Sequence, residues 1–435
     1  MKSSPRLLAR PLALRLAFGA LLGASFAGSA CSDGLSGDAH PTDRVNYPLS
    51  VTADPSGRLL WVVSGNFDLG YRGAAVLGYD VVDNRFVPEV AFEIGSFPGP
   101  FALLERDGRA VAGFIASRSE NAVYSVTLSG DATNPTVACA DGERADPDGA
   151  DSILRCRESG AISTRTVSDE DASVELTVGD DPYNLTIRKS KNGVDPDLLL
   201  VGGMGDGRLA QLSINQTGVP TLIGQFDLGD GLYGLVENPA TGRIYASSKL
   251  SSALSVLEVA RREKADEPGV LELANPYLRL VASVSIPEPA VVRDRARDLA
   301  ISRDGTRLYA TYRTPDSFIT LDIADDGRGN PRNRVLNKIA MANDPTAMAI
   351  HEVDGQELVY VSCFRDDRVE VVDPIAGQVI ASIKTGAGPS GLTVVDRPDL
   401  GVRRLYVALF TDQAIGVIDI DPTSPFYHTE IAEIR

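Results

Sequence analysis

The stretch from residue 358 to residue 391 reads Leu358-Val-Tyr-Val-Ser-Cys-Phe-Arg-Asp-Asp-Arg-Val-Glu-Val-Val-Asp-Pro-Ile-Ala-Gly-Gln-Val-Ile-Ala-Ser-Ile-Lys-Thr-Gly-Ala-Gly-Pro-Ser-Gly391. Apolar residues form short runs along it, and over Asp367–Asp373 they alternate with polar residues with the period of two that is typical of a β-strand. Three such runs follow one another, at residues 358–362, 367–373 and 379–385, and short polar or glycine-containing segments separate them. The stretch therefore predicts the second, third and fourth strands of one antiparallel sheet.

Tight-turn signals that end in glycine recur along the chain, and a strand-like run follows each of them. Such hairpin turns favour glycine because it adopts a positive φ without steric cost. Most of these glycines stand about 50 residues apart, which is the length of one four-stranded propeller blade. The spacing therefore favours a propeller over an array of β-sandwiches. The seven turns are Asp54–Gly57, Glu105–Gly108, Ser190–Gly193, Pro239–Gly242, Ser302–Gly305, Glu352–Gly355 and Arg397–Gly401. Residues 47–435 are therefore predicted to form an all-β fold, a seven-bladed β-propeller of four-stranded antiparallel blades.

Each predicted blade has its own fourth strand, so the ring is expected to close by packing of blade one on blade seven, without an exchanged strand. These strands are predicted at Glu89–Ile94, Val174–Val178, Leu222–Leu228, Leu280–Ile286, Val335–Met341, Val379–Thr385 and Glu430–Arg435. Two repeats are longer than the rest. Their extra residues are assigned to third-to-fourth-strand connections, as a loop insertion at about 129–172 and a segment at about 259–277 with room for a helical turn before Pro268.

The quoted stretch resembles the YVTN repeat, which combines a Leu-Tyr-Val strand, a Val-x-Val-Ile-Asp strand, a Thr-Gly-x-Val turn and a Pro-x-Gly motif. The matching segments here are Leu358–Ser362, Asp367–Asp373 and Gly388–Gly391, and weaker copies extend the similarity over residues 47–435. The resemblance implies a propeller and, at the level of the fold, a similarity to lactonase-like enzymes. Motifs of this kind mark hairpin and packing positions, so they are informative about fold rather than function.

The amino terminus has the pattern of an export signal. Four basic residues precede an apolar run at residues 16–27, and Gly28-Ser-Ala-Cys31 follows. The cysteine after small residues resembles a bacterial lipobox, which implies a signal peptide at 1–30, lipidation of Cys31 and a flexible tether at 31–46. The alternative is an ordinary signal peptide that is cut nearby. The resemblance predicts a lipoprotein of the bacterial cell envelope, with outer-membrane delivery favoured because Ser32 follows the cysteine.

The remaining cysteines are assigned by their surroundings. Cys139 and Cys156 lie 17 residues apart in one polar insertion, and an exported chain favours a disulfide between them over two free thiols. Cys363 lies within an apolar strand and is expected to be reduced and buried.

Composition excludes several function classes. A formal net charge of −17 argues against nucleic-acid binding, because phosphate neutralisation needs a basic surface. The chain has only three histidines and no Cys-x-x-Cys-His, Gly-x-Ser-x-Gly or Walker motif, so no metal, cofactor or catalytic residue is predicted. His351 is interpreted as a structural residue.

A propeller places its second-to-third-strand loops on the face opposite the Asp-Gly turns. Those loops contain Asn66, Arg118, Met204, Lys249, Arg313, Arg365 and Thr411. Four of the seven are basic in an acidic protein, and they predict a site for an anionic ligand or an acidic partner at the mouth of the channel. The alternative is that these side chains only interact with solvent. Aromatic residues expected nearby are Tyr47, Tyr183, Tyr233, Phe364 and Phe410.

Three functions fit these observations. The leading hypothesis is a non-catalytic scaffold, anchored in the cell envelope, that binds a protein, a glycan or an anionic small ligand at the mouth, with Arg118, Lys249, Arg313, Arg365, Tyr183 and Tyr233 as binding residues. The alternative is a lactonase-like hydrolytic propeller, which would use carboxylates or a metal at the channel mouth, with Asp181, Asp230, Asp298 and Asp344 as candidates. The third is a purely structural envelope protein.

Overall fold

The computed structural model describes residues 37–144, 153–169, 172–191, 193, 195–229, 231–251, 253–264, 271–286 and 296–435. Cys31 and the proposed signal peptide lie outside these ranges. Blade one contains β1 (Pro48–Ala53), β2 (Leu59–Ser64), β3 (Ala74–Asp80) and β4 (Arg85–Ile94). Blade two contains β5 (Ala102–Arg106), β6 (Arg109–Ser117), β7 (Ala122–Gly130) and β8 (Pro135–Cys139). Three further strands follow before blade three, at β9 (Leu154–Arg155), β10 (Thr164–Asp169) and β11 (Ala172–Thr177).

Five more blades complete the fold as a seven-bladed β-propeller of four-stranded antiparallel blades. Blade three contains β12 (Pro182–Arg188), β13 (Asp197–Gly203), β14 (Arg208–Ile214) and β15 (Pro220–Asp227). Blade four contains β16 (Leu232–Glu237), β17 (Ile244–Ser248), β18 (Ala253–Glu263) and β19 (Leu271–Ser285). Blade five contains β20 (Ala296–Ile301), β21 (Arg307–Arg313), β22 (Asp316–Asp322) and β23 (Arg334–Ala340). Blade six contains β24 (Pro345–Val353), β25 (Gln356–Cys363), β26 (Arg368–Asp373) and β27 (Gln378–Lys384). Blade seven contains β28 (Pro389–Arg397), β29 (Val402–Leu409), β30 (Ala414–Asp419) and β31 (Thr429–Ile434).

Helical structure is limited, in the described ranges, to three short 3₁₀ turns at Glu158–Gly160, Phe364–Asp366 and Pro398–Leu400. None of the helices found there is long and apolar enough to cross a membrane.

The predicted turns are confirmed. Each of the seven lies between the first and second strands of a blade, and its final glycine has a positive φ, from 68° at Gly57 to 80° at Gly355. The second and third strands carry the core, since β2 and β3 are buried along their whole length. Apolar side chains of adjacent blades pack together, which joins neighbouring sheets into a ring.

The ring closes without an exchanged strand, as predicted, because β28 to β31 all come from one continuous segment. The first strands of blades one and seven meet at the closure. The Ser390 hydroxyl lies 3.3 Å from the Pro48 carbonyl oxygen and 3.0 Å from that of Leu49.

The structure corrects the predicted fourth strand of blade two. That strand is β8 (Pro135–Cys139), whereas Val174–Val178 falls mainly in β11, which pairs with β10 in a separate two-stranded ribbon. The insertion therefore follows the fourth strand instead of preceding it. The sequence did not reveal this because both segments have strand-like patterns, and periodicity does not identify the pairing partner.

We call residues 153–169 and 172–178 the outer clasp, because they lie along the outer edges of blades one to three. β9 adds to the edge of blade one in parallel, with Leu154 opposite Phe92. Ile162 exchanges two backbone hydrogen bonds of 2.9 Å with Val123 of blade two. The Thr177 N–H donates to the Gln225 side chain of blade three at 3.1 Å. The clasp also contributes buried apolar side chains, at Ile153, Leu154, Leu176 and Val178.

The described part of the predicted tether, residues 37–46, also differs from the expectation of flexibility. The Arg72 N–H donates to the Asp38 carbonyl at 3.0 Å, and the His40 N–H donates to the Glu93 carboxylate at 2.5 Å. His40 is buried, and burial lowers the pKa of its imidazole to about 4. This segment is therefore packed on blade one.

The second long repeat is a long hairpin. β18 and β19 extend the third-to-fourth-strand connection of blade four, and the Arg261 guanidinium pairs with Asp195 of blade three. The predicted helical turn before Pro268 lies outside the described residues.

Candidate ligand site at the channel mouth

A repeated hydrogen bond organises the face opposite the Asp-Gly turns, which we call the mouth face. Each blade has a rim residue, which directly follows the last residue of the second strand that pairs with the first strand. Each blade also has a junction residue, which directly precedes the first residue that pairs with the second strand. In six blades the rim N–H donates to the junction carbonyl of the same blade, from 2.8 Å for Lys249–Gly231 to 3.2 Å for Arg118–Phe97. The rim residues are Gly65, Arg118, Met204, Lys249, Arg313, Phe364 and Phe410, and the described junction residues are Tyr47, Phe97, Asp181, Gly231, Asp344 and Gly388.

Three rim side chains, those of Arg118, Arg313 and Phe410, reach the junction residue of the next blade. The Arg118 guanidinium binds both carboxylate oxygens of Asp181, through Nε and through Nη2, the latter at 3.1 Å. Burial disfavours the charged form of Arg118, but the Asp181 carboxylate outweighs that effect and raises the pKa of the guanidinium above its ordinary value. The two side chains are 31% and 32% exposed, so the pair faces the mouth.

Two tyrosines and a second arginine lie beside this pair. The Tyr183 and Tyr233 rings are 5.0 Å apart, and the Arg297 guanidinium carbon lies 4.6 Å from the Tyr233 ring centroid, within cation–π range. Burial, together with the Tyr233 hydroxyl, raises the pKa of Tyr183 well above its ordinary value, and Arg297 and Arg118 oppose that shift. We call Arg118, Asp181, Tyr183, Tyr233 and Arg297 the arginine–tyrosine cluster.

A second ion-pair group lies between blades five and six. Arg313 Nε pairs with Asp344 Oδ1, and Arg365 Nε lies 3.5 Å from Asp344 Oδ2. Arg365 is 77% exposed. Three of the four predicted basic residues therefore have a carboxylate partner, which reduces the positive field expected from sequence. No hydrogen bond or ion pair in the described part of the chain joins Lys249 to the other three.

Five half-buried aromatic rings line the mouth across blades six, seven, one and two. The Phe410 ring lies 5.2 Å from Tyr47, 5.0 Å from Phe67 and 6.0 Å from Phe364, and Phe67 lies 5.3 Å from Phe97. We call these five residues the aromatic arc. Tyr47 and Phe97 have φ values of 44° and 56°, an unusual and strained conformation for bulky residues.

One carboxylate in the channel differs from those at the rim. Asp298 lies on β20, the first strand of blade five, and accepts the Met348 N–H of blade six at 2.8 Å. Burial raises the pKa of Asp298 to about 6. Asp181 and Asp344, in contrast, are held in ion pairs, and Asp230 lies outside the described residues. No group of three or more His, Cys, Asp or Glu side chains that could hold a metal is found among the residues described.

The histidines lie away from the mouth. His351 Nε2 is 2.9 Å from Asp396 Oδ2 and its side chain is 1% exposed, which fits the structural role expected of it. His428 Nε2 lies 3.0 Å from the Tyr360 hydroxyl, and burial lowers the pKa of His428 to about 4.

The cysteine predictions are confirmed where the chain is described. Cys139 and Cys156 form a disulfide, and Cys363 is free and buried. Burial raises the pKa of the Cys363 thiol, which keeps it protonated.

Sequence reasoning identified part of this site. The structure brings Arg118 together with Tyr183 and Tyr233, and Tyr47 together with Phe364 and Phe410. Phe67, Phe97 and Arg297 were missed. Phe97 had a usable signal, since it precedes Pro98 just as Tyr47 precedes Pro48. Phe67 lies in the irregular second-to-third-strand loop of blade one, where no period identifies its direction.

Comparison with known proteins supports the fold. No family model matches the chain, and no curated protein matches its sequence. A candidate 6-phosphogluconolactonase from Bacteroides fragilis is similar with a TM-score of 0.54 at 15% identity, over 80% of this chain and 86% of that one. The periplasmic gluconolactonase of Pseudomonas aeruginosa gives 0.53 at 18%, over 79% and 86%. A hydrazine synthase chain from Kuenenia stuttgartiensis gives 0.54 at 14%, over 86% and 96%. At these identities the similarity shows the fold alone, a seven-bladed propeller whose structural neighbours include lactonase-like proteins.

Proposed function

We propose that the protein is a binding protein that takes a small anionic ligand at the arginine–tyrosine cluster. The observation that carries the proposal is the convergence of two guanidiniums, on Arg118 and Arg297, with the hydroxyl-bearing rings of Tyr183 and Tyr233. Arg118 uses Nε and Nη2 for Asp181, which leaves Nη1 to donate to a ligand oxygen. Arginine suits this role because its planar fork matches carboxylate and phosphate geometry.

The sugar acids related to the substrates named for two structural neighbours are natural probes. We expect gluconate or 6-phosphogluconate to bind in calorimetric titrations, with affinity that falls as salt rises because an exposed ion pair is screened. Arg118→Ser and Tyr233→Ala should each weaken binding at least tenfold. Arg303→Ser is the matched control, because Arg303 is an exposed, ion-paired arginine within the Ser302–Gly305 turn, on the face opposite the mouth. Equal affinity in all four proteins would refute the site.

One observation favours a second candidate function, a lactonase-like hydrolysis in the same channel. A carboxyl group whose pKa lies near 6 is suited to general acid–base work close to neutral pH, and Asp298 is such a group. The candidate predicts turnover of glucono-1,5-lactone above the spontaneous rate, with loss of that turnover in Asp298→Asn. Binding of gluconate without lactone turnover would support the binding protein and reject the enzyme.

We also propose that the protein is a lipoprotein of the bacterial cell envelope, delivered to the outer membrane and anchored through Cys31. The lipobox-like Gly28-Ser-Ala-Cys31 sequence supports this, and so does the disulfide, since disulfides persist in oxidising compartments. The repeats of blades five to seven support a relation to YVTN-repeat propellers. Mass spectrometry of the mature protein tests the anchor. An acylated Cys31 is expected, and an unmodified cysteine or a different terminus would reject the proposal.

A further inference from the structure

The aromatic arc adjoins the arginine–tyrosine cluster. At one end of the arc, the Phe97 carbonyl accepts the N–H of Arg118, so the last ring and the first guanidinium belong to the same blade and the same hydrogen-bonded unit. At the other end, Phe364 is followed directly by Arg365, and its N–H donates to the Asp344 carbonyl at 2.9 Å. Arg118 therefore lies next to the arc at one end and Arg365 at the other.

The arc exposes apolar surface to solvent, and this exposure does not stabilise the fold of the free protein. Its five rings are only half buried, although aromatic side chains supply much of the burial energy of a typical core. Tyr47 and Phe97 have the positive φ that junction residues of other blades share, a conformation that bulky side chains disfavour, so the rings stand there against the local backbone preference. A clustered apolar surface at a channel mouth is characteristic of a ligand-binding surface.

The same two repeat positions carry different chemistry around the ring. Where Arg118 meets Asp181 and Arg313 meets Asp344, an ion pair joins neighbouring blades at the mouth. Where Phe410 meets Tyr47, rings occupy the equivalent positions. The apolar character of the arc is therefore not required by the blade architecture.

We propose that the ligand is amphipathic: a small carboxylate whose charged end binds Arg118 and whose apolar acyl or aryl body lies on the aromatic arc. This inference rests on the proposed anion site and specifies its ligand class. Four of the five rings are phenylalanines, which offer no hydroxyl for a sugar. The arc therefore fits a hydrocarbon body better than a polyhydroxylated one, and Arg118, at its Phe97 end, is placed to hold the charge.

A homologous series of straight-chain carboxylates tests the proposal by calorimetry, with acetate, butanoate, hexanoate and octanoate as probes. Each methylene that reaches the arc should tighten binding about two- to fourfold. Phe410→Ala removes the central ring and should flatten this dependence on chain length while leaving acetate affinity unchanged. Phe426→Ala is the matched control, because Phe426 is an exposed phenylalanine in the third-to-fourth-strand connection of blade seven, and it should keep the full dependence.

The outcomes separate the arc from the anion site. Carboxylates that bind with equal affinity at every chain length overturn the amphipathic ligand and leave the anion site standing. Octanol that binds as well as octanoate, with no effect of Arg118→Ser, overturns the anion site and therefore the proposal that rests on it. Glucuronate that binds more tightly than octanoate overturns the hydrocarbon body. If Phe410→Ala does not fold, as judged by its melting curve, Phe67→Ala removes the ring between Phe410 and Phe97, and an undiminished chain-length dependence in that variant overturns the arc.

Discussion

The outer edges of blades one to three differ from those of blades five to seven. The first set is covered by the outer clasp, which pairs with β4, continues the pairing on β7 and packs against β15. The second set ends in fourth strands made mainly of exposed and half-buried residues, with a bulged aliphatic residue in each, at Leu336, Ile380 and Ile431. Bulges and edge charges such as Lys338 and Lys384 discourage pairing with other chains. Register shifts also occur in the fourth strands of blades one and three, so the difference between the two sets is the added chain: one edge is covered and the other is left exposed.

Removal of the clasp is the strongest test of this difference. Replacement of residues 140–178 by a flexible Gly-Ser linker should leave no cooperatively folded protein. Four buried apolar side chains would be lost, each worth about 1.5–3 kcal/mol, against a total stability of about 5–15 kcal/mol. Circular dichroism melting is the measurement.

The matched control shortens the exposed loop at residues 325–330 of blade five, which contributes no buried apolar side chain. That variant should melt close to the unmodified protein. If the variant without the clasp also melts there, the insertion contributes nothing to the stability of the ring.

The disulfide provides the next largest effect. A Cys139→Ser/Cys156→Ser protein should lose about 3 kcal/mol of unfolding free energy, because the cross-link restricts the unfolded chain. Reducing agent should lower the melting temperature of the unmodified protein to that of the double variant, and should not change the double variant. An unchanged melting temperature on reduction would show that the contacts of the clasp hold it without the covalent bond.

Single apolar residues on the two kinds of edge sharpen the comparison. Leu154→Ala, in the clasp, should cost about 2–3 kcal/mol because its side chain is 7% exposed and packs on Phe92 and its neighbours. Ile380→Ala, at a bulge 44% exposed, should change stability by less than about 0.5 kcal/mol. Urea unfolding of the pair measures both. Equal losses would mean that the bulged residues are covered in solution.

The smallest effect concerns acidic residues on two fourth strands. Glu93 on β4 is paired with Arg72, whereas Glu430 on β31 accepts the Gly386 N–H, with Glu433 and Asp412 as acidic neighbours. Burial raises the pKa of Glu430 to about 7 from an ordinary value of 4.5. The folded state therefore binds the proton more tightly, and stability falls as pH rises from about 4.5 through 7.

Glu430→Gln should remove this loss and stabilise the protein by about 1 kcal/mol at pH 8, with no gain at pH 4. Glu93→Gln is the contrasting variant, and it should destabilise the protein at pH 8 because the Arg72 charge would lose its partner. A gain for Glu430→Gln that is equal at both pH values would exclude the titration.

The repeat pattern was enough to predict the propeller, because strand periods and glycine turns are local properties. All seven turn glycines and ring closure without an exchanged strand followed from it, whereas the disulfide followed from the export signal and the spacing of Cys139 and Cys156. The clasp did not, because β9 is only two residues long and pairs in parallel with a strand about 60 residues earlier in the chain. A pairing of that kind has no period to detect.

The candidate site was predicted in part for the same reason. Arg118, Tyr183 and Tyr233 stand at fixed offsets from recognisable strands, so their convergence could be anticipated. Their charge partners could not. The pairing of Arg118 with Asp181 and of Arg313 with Asp344 depends on the rotation between neighbouring blades, which brings a rim residue of one blade to the junction residue of the next.

Each blade is continuous in sequence. Five described junction residues have a positive φ and directly precede a proline, namely Tyr47, Phe97, Asp181, Asp344 and Gly388. A structural boundary of the ring is thus also a boundary in the coding sequence. The segment from Asp344 to Ala387 contains one whole blade together with its own junction and rim residues. Replacement of such a segment would change one sector of the mouth, while the hydrogen bonds between rim and junction in the other blades would be kept.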